Sequence, residues 1–360
     1  MNIVLAYSGG LRSSVAIPWL VERGDADVIA VTVDLGQSGD LIAVRDRAMS
    51  SGAIRSHVLD ARDEFVRDFV LPTLKADALS DGRYPMATAL GRPMIAKKLV
   101  EIARLENATI VAHGCSGGDR ARLSNPLRAL DPLLGELAFV DTWGLTDAAI
   151  ASYAERLGIS AAGLSEGRVD DNLWGRTVGR RGDDASEEPP ETLFKLTRPL
   201  AQTPAQPATV AISFERGVPT GINGVMMPLG ELIDSLATIA GEHGCGRLER
   251  VKNHRDGTRS RAVYEAPAAV VLHLAHSELE RLVSSDPGDR FLRTLSDTYA
   301  VAIARGEWLG RFRTALDAAA EAMQSGVTGT VRIRLFKGDC RVVGRSANHN
   351  AELLTLNSEL

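Results

Sequence analysis

Cysteine is scarce in this chain: Cys115, Cys245 and Cys340 are odd in number and far apart. That count excludes a disulfide framework or a cysteine-built zinc site, and it fits a reducing cytoplasm. Long apolar runs are also missing. Residues 3–7 are too few for a secretory signal, and the nearest approach to a membrane span, residues 266–275, contains Pro267 and His273. A soluble, cytoplasmic chain without a membrane partner is expected. Nor is there an excess of positive charge. A formal charge of −5 gives no long-range attraction to nucleic acid or acidic lipid, so any anion site has to be local. Internal repeats and low-complexity tails are absent. What is present is 360 residues with 44% hydrophobic content, enough for a large core and, by length, for two domains.

The stretch Ala6-Tyr7-Ser8-Gly9-Gly10-Leu11-Arg12-Ser13-Ser14 follows apolar Ile3-Val4-Leu5 and precedes Val15-Ala16-Ile17-Pro18-Trp19-Leu20. It reads as a strand, a glycine turn and a helix start. Two glycines let the backbone approach an oxyanion, and Ser8, Ser13 and Ser14 add hydroxyls where the new helix points its free N–H groups. The pattern is neither the lysine-ended P-loop nor the spaced glycines of a dinucleotide fingerprint. It resembles the SGGxDS loop of enzymes that split ATP into AMP and pyrophosphate. An ordinary tight turn would use the same residue types, but its place after the first strand favours phosphate.

Further along, the hydrophobic pattern predicts strands at 28–35 and 57–59 with helices at 13–23 and 41–50, which is a βαβ rhythm. A helix is predicted over 93–105 with Pro93 in its first turn, leading into a strand at 109–112. A strand at 138–140 and a helix capped by Thr146 or Asp147 follow. Five strands with their helices make an α/β, doubly wound, mostly parallel sheet. The Gly-, acid- and Pro-rich residues 180–191 read as an exposed loop. Beyond them come a strand at 210–214, a helix at 229–240 and a stretch rich in Gly and Arg at 241–261. The expected domains are an ATP-binding one over 1–165 and a second, α+β one over 166–360.

Four more motifs accompany the loop. They are Tyr84-Pro85-Met86-Ala87-Thr88-Ala89-Leu90-Gly91-Arg92-Pro93, Ala112-His113-Gly114-Cys115-Ser116-Gly117, Asn172-Leu173-Trp174-Gly175-Arg176 and Arg259-Ser260-Arg261-Ala262-Val263-Tyr264-Glu265-Ala266-Pro267. In order and spacing the five resemble the argininosuccinate synthase family, AMP-forming ligases that couple citrulline to aspartate. The resemblance implies that Ala6, Tyr7, Ser8, Gly9, Gly10, Ser13, Ser14, Val33 and Gly114 bind ATP, supplied with Mg²⁺. It implies further that Ser116 and Asp119 hold aspartate, and that Tyr84, Thr88, Arg122, Thr177 and Tyr264 hold citrulline.

The departures from the family lie at the chemistry. Arg12 stands where the loop has Asp, and with Ser8 and Asp119 it is assigned a catalytic role, neutralising phosphate charge. The family's GKGNDQVRFE segment is shortened to Gly118-Asp119-Arg120-Ala121-Arg122-Leu123-Ser124, without the Asn that touches both amino acids. Arg168 replaces a citrulline-binding Ser, and Lys252 a citrulline-binding Glu. Two added cations disfavour an ammonium, so the expected acceptor is a ureido, carboxylate or amide compound other than citrulline, joined to an amine such as aspartate. The alternatives are a genuine argininosuccinate synthase and a non-catalytic nucleotide-binding homologue. A sulfur transferase is weakened because Cys115 has no paired cysteine. His113 reads equally as a core histidine or a substrate contact. No protein-held metal is expected. The family's long C-terminal arm is missing after Val342-Val343-Gly344-Arg345, so a dimer is expected in place of its tetramer.

Overall fold

The computed structural model describes residues 1–156, 158–159, 168–181, 187–253 and 259–347. The chain forms two compact units. The first comprises Met1–Phe65, Thr88–Asn172 and Ala302–Gly310, and the second Val66–Ala87, Leu173–Val301 and Arg311–Leu360.

The first unit is built on five parallel strands: β1 (Asn2–Ala6), β2 (Asp27–Asp34), β3 (Arg55–Asp60), β4 (Ile110–His113) and β5 (Gly135–Ala138), in the order β3-β2-β1-β4-β5. The order reverses at β1, so the chain leaves β1 and β4 toward opposite faces, and a crevice opens beyond their carboxyl ends. The buried middles of β1 and β2, Ile3–Leu5 and Val28–Val31, are apolar because both faces of a parallel sheet are covered. One layer is the helix Leu11–Gly24, which buries Val15, Ala16, Ile17, Trp19 and Leu20. Trp19 meets Trp143 edge-on, with ring centroids 6.3 Å apart.

Two element boundaries differ from the sequence reading. The helix expected from Pro93 begins at Ala87 and runs to Leu105, with Pro93 inside it. Burial of Leu90, Met94, Leu99 and Ile102 outweighs the bond that proline removes. The strand expected at 138–140 lies earlier, as β5, and Phe139–Thr142 is a helical turn. Apolar composition alone does not separate the two states over so short a run. The helix Asp147–Arg156 is capped as expected, with the Ala149 N–H donating to Thr146 Oγ1 at 3.2 Å. A final strand of this unit, β6 (Arg168–Asn172), precedes the passage into the second unit.

There, β7 (Gly175–Arg181) takes in Arg180 and Arg181, which the sequence placed in a loop. A five-stranded antiparallel sheet is ordered β10-β9-β8-β13-β14, from β8 (Ala208–Glu215), β9 (Val218–Ile222), β10 (Val225–Met226), β13 (Gly329–Phe336) and β14 (Asp339–Ala347). The stretch rich in Gly and Arg forms β11 (Arg247–Asn253) and β12 (Arg259–Glu265); β12 pairs with both β11 and β7. Helices Leu229–Glu242 and Pro267–Val283 supply the apolar layer. Among the described residues no helix is long and apolar enough to cross a membrane.

Inside this unit His276 Nε2 donates to Gln324 Oε1 at 2.7 Å, and Gln324 Nε2 donates to Glu280 Oε1 at 2.6 Å. Burial pushes the Glu280 carboxyl up from 4.5 to about 7 and the His276 imidazole down from 6.5 to about 4. The raised Glu280 contributes stability that is complete below its unfolded value and lost as pH rises through 7. The depressed His276 contributes stability present above 6.5 and lost as pH falls through 4, so the two oppose each other in between. Glu280→Gln is therefore expected to gain about 1–2 kcal/mol over the parent at pH 8 and almost nothing at pH 4.5. Urea unfolding at both values measures this, and a difference independent of pH would exclude Glu280 as the titrating group.

Candidate nucleotide site in the first unit

Between β1 and the helix Leu11–Gly24 the chain turns through Tyr7, Ser8, Gly9 and Gly10. Gly9 has φ +73°, and a Cβ there would lie 2.8 Å from Val44 Cγ2, so both torsion and space require glycine. Gly10 stands at the helix N-cap without a side-chain cap, which leaves the first-turn N–H groups without an intrahelical partner. Ser13 and Ser14 donate to the Gly10 carbonyl at 2.9 and 3.0 Å. Ser8 Oγ lies 3.2 Å from Ser13 Oγ and accepts from the Gly10 N–H at 3.4 Å. The Tyr7 hydroxyl bonds to Ser14 Oγ at 2.9 Å, and Arg47 donates to the Gly9 carbonyl. Burial raises the Tyr7 phenol above its usual range, so it stays a neutral strut.

This turn opens into a cavity of about 510 Å³ lined by Ala6, Tyr7, Ser8, Ser13, Val33, Thr88, Gly114 and Ser116, among others. Gly114 is a further steric requirement, since its Cβ would sit 2.8 Å from Phe139 Cζ. His113 is buried. Its Nδ1 accepts from the Cys115 N–H at 3.2 Å, so Nε2 carries the proton facing Glu136 Oε1 at 3.1 Å. Burial lowers the His113 value below its ordinary one despite that carboxylate. It is thus a structural histidine, bonded to a carboxylate as well as to backbone. Cys115 lines the cavity.

Arg12 Nη2 donates to Asp147 Oδ1 at 2.7 Å, an exposed pair. Asp119, in the first turn of the helix Gly118–Leu130, is buried and receives Arg122 Nη1 at 2.8 Å, while Arg122 Nε donates to the Ala304 carbonyl at 3.0 Å. Arg92 reaches Asp119 Oδ2 at 3.5 Å and donates to Asp170. Asp171 accepts from the Ser38 N–H at 3.1 Å and from the Ser38 hydroxyl. Gln37, Ser38, Arg92, Asp170 and Asp171 all line the cavity, yet the sequence reading gave none of them a role. A signal existed: Arg92 lies inside a quoted motif, and two adjacent carboxylates break strand alternation just before Asn172.

The remaining candidates, Arg168 apart, fall in the second unit. Tyr84 is buried with its ring 5.2 Å from that of Tyr264, and its hydroxyl donates to the Glu249 carbonyl. Tyr264 is opposite Thr177 across the β12–β7 ladder and opposite Leu248 across β11–β12. Arg176 donates to Glu265, at 3.3 Å, and to the Leu193 carbonyl. Arg168 opens β6 and Lys252 lies in β11; the side chains of both lie outside the described part of the structure, as does Arg255 altogether. Among the described residues no group of three His, Cys, Asp or Glu side chains is placed to hold a metal ion.

Two family models match the chain: the arginosuccinate synthase N-terminal HUP domain over residues 2–160 and the arginosuccinate synthase C-terminal domain over 168–358. The chain belongs to the argininosuccinate synthase family. Relatives named argininosuccinate synthase occur in Synechococcus elongatus, 42% identical over 97% of this chain and 89% of the relative. That of Symbiobacterium thermophilum is 45% identical over 96% and 87%, and that of Rubrobacter xylanophilus 44% over 96% and 86%. Membership of the argininosuccinate synthase family makes the chain an ATP-dependent, AMP-forming carbon–nitrogen ligase acting on small molecules. The expectation of an acceptor other than citrulline finds no support in these relatives, which favour the alternative.

Proposed function

We propose that this chain is an argininosuccinate synthase that joins citrulline to aspartate. What carries the reading is identity of 42–45% along 96–97% of the chain with proteins of that name. Arg12 adds a cation at the loop, but Asp147 lies 2.7 Å from it, so the pair adds no net charge. Lys252, Arg168 and the Asn missing from residues 118–124 still speak for a different acceptor.

In this reading MgATP is the substrate, with the metal carried on the phosphates. Ser8, Gly9, Gly10, Ser13 and Ser14 receive the phosphate chain through hydroxyls and N–H groups, and Val33 and Gly114 face the nucleoside. The ureido oxygen of citrulline attacks the α-phosphorus, pyrophosphate leaves, and the aspartate amine displaces AMP. Such a reaction needs reactants held in line and phosphate charge neutralised more than it needs a strong base. Ser116 and Asp119 are assigned to aspartate. Asp119, paired with Arg122 and near Arg92, offers its carboxylate to the amine; Tyr84, Thr88, Arg122, Thr177 and Tyr264 are assigned to citrulline.

The test supplies ATP, citrulline and aspartate and follows pyrophosphate, AMP and argininosuccinate. Equimolar release of the three is expected. Inactivity with citrulline combined with turnover of a carboxylate or amide acceptor would reinstate the other substrate class. ATP binding without turnover of any acceptor would point to a non-catalytic homologue.

A further inference from the structure

The β1-facing edge of β2 is longer than β1. Its last ladder bond is the Tyr7 N–H donating to the Val31 carbonyl at 2.9 Å, after which the chain turns away into the helix Leu11–Gly24. Backbone groups two residues apart share one edge of a strand, so the Val33 carbonyl and the Leu35 N–H continue that edge beyond the end of β1. Gln37 takes both. Its Nε2 donates to the Val33 carbonyl at 2.9 Å and its Oε1 accepts from the Leu35 N–H at 2.7 Å. All three residues line the cavity that holds the phosphate turn.

A primary carboxamide presents one donor and one acceptor separated by a single carbon. The Watson–Crick edge of adenine does the same, with N6–H as donor and N1 as acceptor. Guanine reverses the pair, offering O6 as acceptor and N1–H as donor, and would set like against like at both positions.

We infer that Gln37 is a built-in surrogate for adenine: its carboxamide competes with the base of ATP for the Val33 carbonyl and the Leu35 N–H, which form the base-reading edge. The inference rests on the ATP site proposed above. Exchange of two hydrogen bonds for two others is nearly balanced, so Gln37 yields to the base while lowering apparent affinity by the fraction of time it holds the edge. It also keeps both backbone groups satisfied whenever the base is elsewhere. Selectivity follows from the edge itself, since guanine would leave buried polar groups unpaired.

Gln37→Met keeps length and removes both bonds. Calorimetric titration of the full chain should show ATP binding about fivefold tighter in this variant, with tripolyphosphate, which has no base, unchanged. Weaker or unaltered ATP binding with tripolyphosphate unchanged would overturn the inference, and so would equal shifts for both ligands, which mark a general role in loop shape. If the parent binds tripolyphosphate but shows no preference for ATP over GTP, the base-reading edge fails. If it binds neither, the ATP site itself fails. The unaltered chain gives a second readout. Gln37 is one of four glutamines, so selective ¹⁵N labelling resolves its side-chain amide; ATP should accelerate its hydrogen exchange and tripolyphosphate should not. Unchanged protection at saturating ATP would exclude displacement.

Discussion

Arg92→Met is expected to lower the unfolding free energy by about 3–5 kcal/mol, because it removes the largely buried guanidinium that pairs with Asp170 and lies near Asp119. The Arg92 side chain is 12% exposed, its partner Asp170 21% and Asp119 10%. Burial opposes the guanidinium charge, but Asp170, with Cys115 and Asp119, outweighs it and holds Arg92 protonated well above the usual arginine value. Asp119 keeps its pair with Arg122 at 2.8 Å, while the pair of Asp170 with Arg92 is lost. The double variant Arg92→Met, Asp170→Leu should recover part of the lost stability, since an apolar pair replaces a broken ionic one. Urea midpoints of the three proteins measure this. A single variant within about 0.5 kcal/mol of the parent would contradict the claim that the cluster is desolvated.

Gly9→Val is expected to remove ATP binding and to cost about 2–4 kcal/mol of stability. Two separable penalties contribute. A β-branched residue at φ +73° pays for the left-handed backbone, and its Cβ would stand 2.8 Å from Val44 Cγ2 and 3.0 Å from Cγ1, which forces repacking. Pairing Gly9→Ala with Val44→Ala separates them: the second change opens space but leaves the torsion strained. Partial recovery of stability with ATP affinity still reduced is the expected pattern, because the turn would then be close-fitting but misdirected. Full recovery of both would show that only space mattered, and unchanged ATP affinity in Gly9→Val would remove the turn from the phosphate site.

Much of the first unit was legible because its parallel strands are nearly pure aliphatic runs separated by helices of regular period. Ile3-Val4-Leu5 and the β2 sequence admit few readings when both faces of the sheet must be covered. The glycine turn before the first helix was legible for a related reason, since paired glycines before a helix leave little else for the chain to do. The errors fell where composition is neutral. Phe139 and Val140 suit a strand or a buried turn equally, and Pro93 marks a helix start only when nothing upstream buries a face. Residues 247–253 and 259–265 gave no strand signal because their apolar positions are diluted by Arg, Lys and Glu. Arg12 taught the opposite lesson. Its identity was read as a change in the charge of the site, but charge is a property of neighbourhoods, and Asp147 lies 135 residues away in the sequence. Lys252 and Arg168 invite the same error, which is why whole-chain similarity outweighs them.

The nine residues Ala302–Gly310 belong to the first unit although more than a hundred residues of the second precede them. Arg122 reaches the Ala304 carbonyl, Asn125 donates to the Arg305 carbonyl at 3.1 Å, and Gly306 sits so close to Ala121 that a Cβ would lie 2.6 Å from its carbonyl oxygen. On the ribosome, therefore, the nucleotide unit waits. The side chains of Arg122 and Asn125 meet these acceptors only after synthesis has run through most of the second unit, so the usual order of completing an N-terminal unit before its successor does not hold. Closing so long a loop is slow but thermodynamically mild, and it makes the unit proposed to bind ATP an audit of the chain's nearly complete translation.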